Sequence, residues 1–327
     1  MGRQSMTGGA RGQMVRHFGE LERAVVLIDP ALPDSVREGL EKITGRTVAR
    51  YDASSAPDPG QSVIHVGPVL PESLRGGRLR WFHSTNAGVD ALLASGTWPE
   101  GALLTRTVGR MGERIAQYVL AWILAECQTV PSFLEQQRRA EWRRVPSELA
   151  AGQLALVYGA GRIGERVAAY LRGCGIRTLN VARTARTLPD GGEVVTAETA
   201  DAQLGRARWV VSTLPLTAGT ENYFGARRFT ALRGATFLST GRGAAVDLAA
   251  LAAALDEGTV RAAVLDVLRE EPAAPDDVVW RLPRTVITSH SAGITAPDDV
   301  CTDFAACWDE LRAGRTPALA VDPGRGY

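Results

Sequence analysis

Short apolar runs separated by stretches of helical spacing recur along most of this chain. Ala24 to Asp29 (Ala-Val-Val-Leu-Ile-Asp) is apolar until its last residue, as a strand buried on both faces should be. Ser35 to Ile43 carries helical spacing and is closed by Gly45. Thr47–Tyr51, Ser62–Val66 and Arg80–His83 predict three more strands, with a loop at residues 56–60, Ala-Pro-Asp-Pro-Gly. Strands that alternate with helices predict a parallel sheet covered on both faces. After the fourth strand runs Ser84-Thr-Asn-Ala-Gly-Val-Asp90. A glycine-containing turn at the carboxyl end of a strand is where open α/β sheets bind ligands, and its backbone N–H groups could hold a carboxylate. Taken alone, the segment reads equally well as a plain loop.

Met111 to Cys127 predicts a long helix. It is apolar almost all round from Ile115 to Ala125, apart from Gln117, so it should be buried on most faces, as between two domains or two subunits. Phe133 to Arg144 is polar with two isolated aromatics and reads as an exposed arm able to pack on a partner subunit. Beyond Gly152, six further strands are expected at Leu154–Tyr158, Thr178–Ala182, Trp209–Thr213, Thr236–Ser239, Ala262–Asp266 and Val286–Thr288. Helices lie between them, among them Leu248–Glu257, stopped by Gly258. A last helix, Asp298–Leu311, has Cys301, Phe304, Trp308 and Leu311 on one stripe. The fold class is therefore α/β, with two doubly wound, Rossmann-like parallel-sheet domains and a cleft between them.

A chain of 327 residues with 45% hydrophobic positions has core enough for two domains. The net charge of +1 gives no reason to expect nucleic acid or an acidic membrane as a partner. The longest apolar run, Val119–Ala125, is far short of the roughly 20 residues that span a bilayer. Cys127, Cys174, Cys301 and Cys307 form no C-x-x-C pair and no metal-ligand spacing, so reduced thiols in a cytoplasmic protein without a metal site are expected. No secretory leader is read. Residues 1–20 have no apolar period, and Met-Thr-Gly-Gly near the start has the look of an expression tag, so a tag or disorder is expected there.

The most specific local signal is Leu154-Ala-Leu-Val-Tyr-Gly-Ala-Gly-Arg-Ile-Gly164, followed by the helix-like Glu-Arg-Val-Ala-Ala-Tyr-Leu-Arg. Strand, glycine turn and helix in this order form a dinucleotide site. Gly159 permits the turn, Gly161 lets the backbone approach a pyrophosphate, and Gly164 lets helix and strand pack closely. NAD enzymes usually end the next strand in Asp or Glu, for the ribose. Here Arg177–Val181 is followed by Ala182-Arg-Thr-Ala-Arg186. Two arginines suit a 2′-phosphate through paired, charge-assisted hydrogen bonds, which predicts NADP(H) in preference to NAD(H).

Of the four histidines, His17 lies in the excluded segment, and His65 and His83 sit in or at the end of apolar strands, as packed residues do. His290 follows the last predicted strand, in Thr-Ser-His-Ser-Ala-Gly. That is the nicotinamide end of such a sheet, where hydride transfer to a carbonyl needs a proton donor near neutral pH. Gly241-Arg242-Gly243 follows another strand; its glycines clear space, and the arginine could bind a carboxylate in a forked pair. Asp266-Val-Leu-Arg-Glu-Glu-Pro272 follows a third, with carboxylates able to pair with His290.

Taken in order, the chain resembles the D-2-hydroxyacid dehydrogenase family from about Ser84 onward. The matching pieces are Asn86–Asp90, Val157–Gly164, Leu214-Pro-Leu-Thr217 with Thr220, Gly241–Gly243 with Asp247, Leu265–Pro272, and His290. The resemblance implies that His290 is the acid/base, Glu271 its partner, and Arg242 the group that binds the 2-oxo acid and polarises its carbonyl. It implies substrate contacts from Asn86, Ala87, Gly88 and Val89, with Arg242 and His290. It implies cofactor contacts from Gly159, Gly161, Arg162, Ile163, Gly164, Arg183, Thr184, Arg186, Leu214, Pro215, Thr220, Gly241, Asp266 and Ala292. Asp266 would meet the nicotinamide carboxamide. Residues 21–108 with 293–327 would form a flavodoxin-like substrate domain, and 109–292 the NAD(P)-binding domain. Val89, Arg106, Arg110 and Met111 are candidates to shape the substrate pocket.

Within the family the chain is most similar to the NADPH-using glyoxylate/hydroxypyruvate reductases, in its Ala-Arg-Thr-Ala-Arg stretch and its Val321–Tyr327 ending. The implied partners are a small 2-oxo or 2-hydroxy acid and a second copy of the chain. A homodimer through the cofactor domain would use the Phe133–Arg144 arm, with Trp142 approaching the partner's active site. Three positions depart from the family pattern: Ser239 stands for Asn, Ser289 for Pro, and Gln117 for Glu. Two other readings share the scaffold. One is a non-catalytic dinucleotide-sensing corepressor. The other is a dehydrogenase of a different small acid, such as phosphite; formate enzymes carry Gln where Glu271 stands.

Overall fold

The computed structural model describes residues 19–54 and 60–324. Residues 1–18 of the suspected 1–20 tag, which include His17, residues 56–59 of the predicted loop and the last three residues lie outside them, whereas Gly19 and Glu20 are helical and Glu20 pairs with Arg80 at 3.0 Å, so the described chain starts before residue 21. The described chain divides into two compact units: the residues up to Arg110 together with those from Thr295 onward, and Met111–Ile294.

The first unit is built on an all-parallel sheet of β1 (Val25–Ile28), β2 (Val48–Arg50), β3 (Val63–Gly67), β4 (Leu79–Ser84) and β5 (Leu103–Arg106), in the order β2-β1-β3-β4-β5. This is the flavodoxin-like order. β5 is one strand more than the apolar pattern predicts. Its four residues are too few to show a period, and they become a strand by pairing with β4, Trp81 opposite Leu103. Helix α1 (Asp34–Thr44) stops at Gly45, whose φ of 68° is the left-handed cap. The C-terminal helix Pro297–Arg312 returns to this unit and lays Phe304 flat against Trp81, ring centroids 4.5 Å apart. Its buried stripe is Val300, Phe304, Cys307, Trp308 and Leu311. Cys301, expected on that stripe, lies one residue further round the helix and is only half-buried.

The two histidines of this unit are packed. His83 is fully buried between the hydroxyls of Thr105, at 2.7 Å, and Thr107, at 3.0 Å. His65 stacks on Phe82. Burial pushes both well down, His83 to about 3 and His65 to about 4, so both are neutral at pH 7.

The second unit opens with α2 (Met111–Cys127) and α3 (Val130–Arg139). Its sheet comprises β6 (Leu154–Tyr158), β7 (Arg177–Val181), β8 (Arg186–Thr187), β9 (Glu193–Val195), β10 (Trp209–Ser212), β11 (Ala235–Ser239), β12 (Val260–Leu265) and β13 (Thr285–Ile287). The spatial order is β13-β12-β11-β10-β6-β7-β9-β8, parallel except for the last pair. Eight strands replace the six expected, because β8 and β9 are too short and too polar to carry an apolar pattern. α2 lies along α4 (Arg162–Gly173), the helix after the glycine turn. Strand order reverses at β6. The chain first builds outward through β7, then returns to add β10 on the other side. In such sheets the ligand crevice forms at the carboxyl ends of the strands at this switch point.

Candidate active site

At the switch point, β6 runs into Gly159, whose φ of 112° only glycine adopts readily. A Cβ on Gly164 would overlap the carbonyl of Gly159, so glycine alone allows helix and strand to approach this closely. A Cβ on Gly161, by contrast, would meet nothing within 4 Å. Gly161 is the N-cap of α4 and offers no side-chain acceptor, which leaves the first-turn amides of Arg162, Ile163 and Gly164 as donors. An open glycine beside free helix N–H groups fits a pyrophosphate. Asn180 on β7 donates to the carbonyl of Gly164 at 3.0 Å and fixes the turn from below.

The neighbouring loop begins at Leu214 and Pro215. The Thr220 hydroxyl donates to Pro215 O at 2.6 Å and accepts from Thr217 N at 2.8 Å, closing the loop on itself. Gly241 packs so tightly on Leu214 that a Cβ there would strike its backbone.

Beyond β7, Arg183 and Thr184 are exposed, and Arg183 has no hydrogen-bond or ion-pair partner among the described residues. Arg186 is engaged. One terminal nitrogen reaches the carbonyl of Ala160 at 2.8 Å and the carboxylate of Glu165 at 2.8 Å, tying β8 to the glycine turn. Glu165 as this counter-ion was invisible in the sequence.

Three consecutive neighbours, β11, β12 and β13, end beside one another. Arg242 follows β11, half-buried, with Nη1 donating to Gly241 O at 2.8 Å. Gly243 has no room for a side chain, since a Cβ would run into the backbone of Leu268. After β12, the Glu271 carboxylate accepts from the N–H of Leu268 at 2.7 Å through Oε1, and its Oε2 lies 2.7 Å from Nδ1 of His290. The opposite ring nitrogen, Nε2, has no partner among the described residues. A histidine so held presents one nitrogen for proton transfer.

Asp266 does not share that pairing. It is 3% exposed, and its Oδ1 accepts from the Thr288 hydroxyl at 2.6 Å, from Ser291 N at 2.8 Å and from Ala292 N at 3.0 Å. Its main-chain oxygen accepts from His290 N at 2.7 Å. These bonds hold an unusual backbone, with Ser289 and His290 both left-handed at φ 52° and 55°. Each such non-glycine residue costs roughly 1–2 kcal/mol. Thr288 is bonded in turn to the hydroxyl of Tyr118 on α2, at 2.7 Å. Nothing in the sequence singled out Tyr118, which there is one aromatic on an apolar helix. Ser239, which departs from the family pattern, is fully buried at the end of β11.

The Asn86–Val89 loop ends β4 in the other unit. Ser84 Oγ accepts from Asn86 N at 3.2 Å, Arg106 donates to Ala87 O at 3.1 Å, and Val89 is buried. Gly88 is partly exposed, and Asn86 is exposed. Arg110 N donates to Asp299 at 3.1 Å, and Met111 is buried at the start of α2. A cavity of about 290 Å³ lined by Arg177, Arg206, Arg208 and Arg233 lies at the opposite, amino edge of the second sheet. It is therefore remote from the strand ends just described. Among the described residues no group of three or more His, Cys, Asp or Glu is arranged to hold a metal, and no helix is long and apolar enough to cross a membrane.

Residues 120–292 match the model of the D-isomer specific 2-hydroxyacid dehydrogenase NAD-binding domain. The chain is 31% identical over 258 residues to glyoxylate/hydroxypyruvate reductase A of Serratia proteamaculans, covering 77% of this chain and 82% of that protein. It is 56% identical over 272 residues to a Streptomyces coelicolor protein named only as an uncharacterised protein in the mprR 3′ region, covering 82% and 97%. Among solved structures, the D-isomer specific 2-hydroxyacid dehydrogenase of Xanthobacter autotrophicus in complex with NADPH and MES superposes with a TM-score of 0.83 at 28% identity, over 93% of this chain and all of that one.

Proposed function

Because this chain belongs to the D-isomer specific 2-hydroxyacid dehydrogenase family of oxidoreductases, we propose that it reduces a small 2-oxo acid, of glyoxylate or hydroxypyruvate type, to the D-2-hydroxy acid with NADPH. The observation that carries this reading is the His290–Glu271 pair, 2.7 Å apart, on the same sheet as the open glycine turn. Bound NADPH supplies a hydride to the C2 carbonyl. His290 gives the carbonyl oxygen its proton, and Glu271 holds the ring through Nδ1. Arg242 holds the carboxylate and carbonyl of the acid in a forked grip. Gly159–Gly164 and the start of α4 would hold the pyrophosphate, and Leu214, Pro215, Thr220, Gly241 and Ala292 would line the remainder of the cofactor.

NADP(H) is preferred in this reading because an arginine pair follows β7 where NAD enzymes carry a carboxylate, and because the Xanthobacter relative is bound to NADPH. Arg183 and Thr184 are available for a 2′-phosphate, whereas Arg186 would have to leave Glu165 to join them. We further read the protein as a cytoplasmic homodimer. All four cysteines are free. The segment from α3 onward also exposes Phe133, Leu134, Trp142 (fully) and Leu149, an apolar surface that suits a partner copy.

The test is NADPH oxidation with glyoxylate, hydroxypyruvate, pyruvate and phenylpyruvate, repeated with NADH and with Arg183→Ala. Turnover favouring NADPH and the small acids is expected, with the NADPH preference reduced in the variant. Equal rates with NADH would remove the 2′-phosphate argument and leave the reductase. No turnover of any acid by a protein that still binds NADPH would overturn the reading.

A further inference from the structure

We propose that Tyr118 is a positioning residue for His290, acting from α2 through the Thr288 hydroxyl and the Asp266 carboxylate on the left-handed backbone of residues 289–290. The inference rests on the acid role given to His290 above, but the contacts that carry it all lie within the second unit.

The direction of the relay follows from chemistry. Asp266 Oδ1 already receives the N–H groups of Ser291 and Ala292, which can only donate. The Thr288 hydroxyl, 2.6 Å away, gives its one proton to the same oxygen. The Tyr118 hydroxyl, 2.7 Å from Thr288 Oγ1, must then donate into it. The Trp122 ring packs edge-on against Tyr118 one turn along the helix, ring centroids 6.2 Å apart. The Tyr118 and Thr288 hydroxyls thus both point toward one buried carboxylate. Burial pushes the phenol up to about 12, so it keeps its proton throughout the working pH range.

What this chain does is structural in a specific way. Ser289 and His290 adopt φ values that side-chain-bearing residues avoid, and no glycine relieves them. Asp266 is the common anchor, through its main-chain oxygen to His290 N and through its carboxylate to the next two amides. Weakening the far end of the relay loosens the anchor, and the ring then leaves its register with Glu271. Catalytic geometry tolerates little of this, since small misplacements are costly.

The experiment compares wild type with Tyr118→Phe, Thr288→Val and the conservative Thr288→Ser. Amide hydrogen exchange is read on the cofactor-free full-length protein, and kcat and the NADPH dissociation constant on the same preparations. In Tyr118→Phe, exchange at Ser291 and Ala292 should rise about fivefold and kcat should fall about fivefold, the usual weight of one neutral hydrogen bond, with a smaller loss of NADPH affinity, since the glycine turn is not part of the relay. Thr288→Val should do at least as much, and Thr288→Ser should behave as wild type. Unchanged exchange at both amides in Tyr118→Phe and Thr288→Val would overturn the proposal. So would a rise spread evenly over the whole second unit, which marks a general loss of stability. If wild type turns over none of the acids, the functional reading fails on its own, and the exchange data still decide whether the relay holds the loop.

Discussion

Alanine in place of His290 should cut turnover by about two to four orders of magnitude, the usual worth of a positioned acid. The argument is geometric. The ring hangs on a backbone fixed by four hydrogen bonds to Asp266, from the Thr288 hydroxyl and from the N–H groups of His290, Ser291 and Ala292, and its Nδ1 is held by Glu271 at 2.7 Å. None of these groups lies in the glycine turn that would hold the pyrophosphate, so NADPH affinity should stay within about twofold. Glu271→Gln should cost less, because a neutral amide oxygen can still accept the Nδ1 proton and keep the ring in place. Steady-state kinetics at saturating NADPH, with fluorescence titration of the cofactor, separate the two effects. Unchanged turnover in His290→Ala would remove the acid assignment.

The second large effect is expected at Arg242. Arg242→Ala should lower kcat/KM for the 2-oxo acid by about 10²–10³-fold, the range seen when one donor aimed at a developing oxyanion is lost. Both parameters should move. KM rises because the forked grip on the carboxylate is gone, and kcat falls because the carbonyl is no longer polarised. Lysine should not restore activity, since an ammonium cannot reproduce a planar, two-pronged donor. The turn itself should survive the change, as its tightness comes from Gly241 and Gly243 against Leu214 and Leu268. A variant with wild-type KM and kcat would take Arg242 out of the site.

The parts of this protein that could be read from the sequence are those whose physics is local. The glycine turn is a strand, three glycines and a helix within eleven residues, with Gly159 needed for its positive φ, Gly164 for the close approach of helix and strand, and Gly161 leaving open space at the helix start. The long apolar helix and the capped ends of Asp34–Thr44 and Leu248–Glu257 are equally local. What escaped needed partners distant in the chain. β5 is a strand because β4 lies beside it, and β8 because β9 folds back on it. Asp266, Glu270 and Glu271 stand within six residues, and composition cannot say which meets His290. The structure pairs Glu271 with the ring and leaves Asp266 to bind the loop that carries it. Arg186 looked equivalent to Arg183 until Glu165, twenty-one residues upstream, claimed it. Tyr118 read as one more buried aromatic, because nothing about an aromatic in an apolar helix announces that its hydroxyl meets a threonine 170 residues away.

The most direct test of the central claim follows the hydrogen itself. Glyoxylate is turned over with NADPH carrying deuterium at C4, each face labelled in a separate run, and the glycolate is examined by mass spectrometry and proton NMR. One of the two labelled cofactors should deliver its deuterium to C2 of the product, one atom for each NADPH oxidised, and His290→Ala should slow this transfer without diverting the label to solvent. NADPH consumed with no label at C2 from either face, or NADPH bound tightly with no 2-hydroxy acid formed from any small 2-oxo acid, would contradict it.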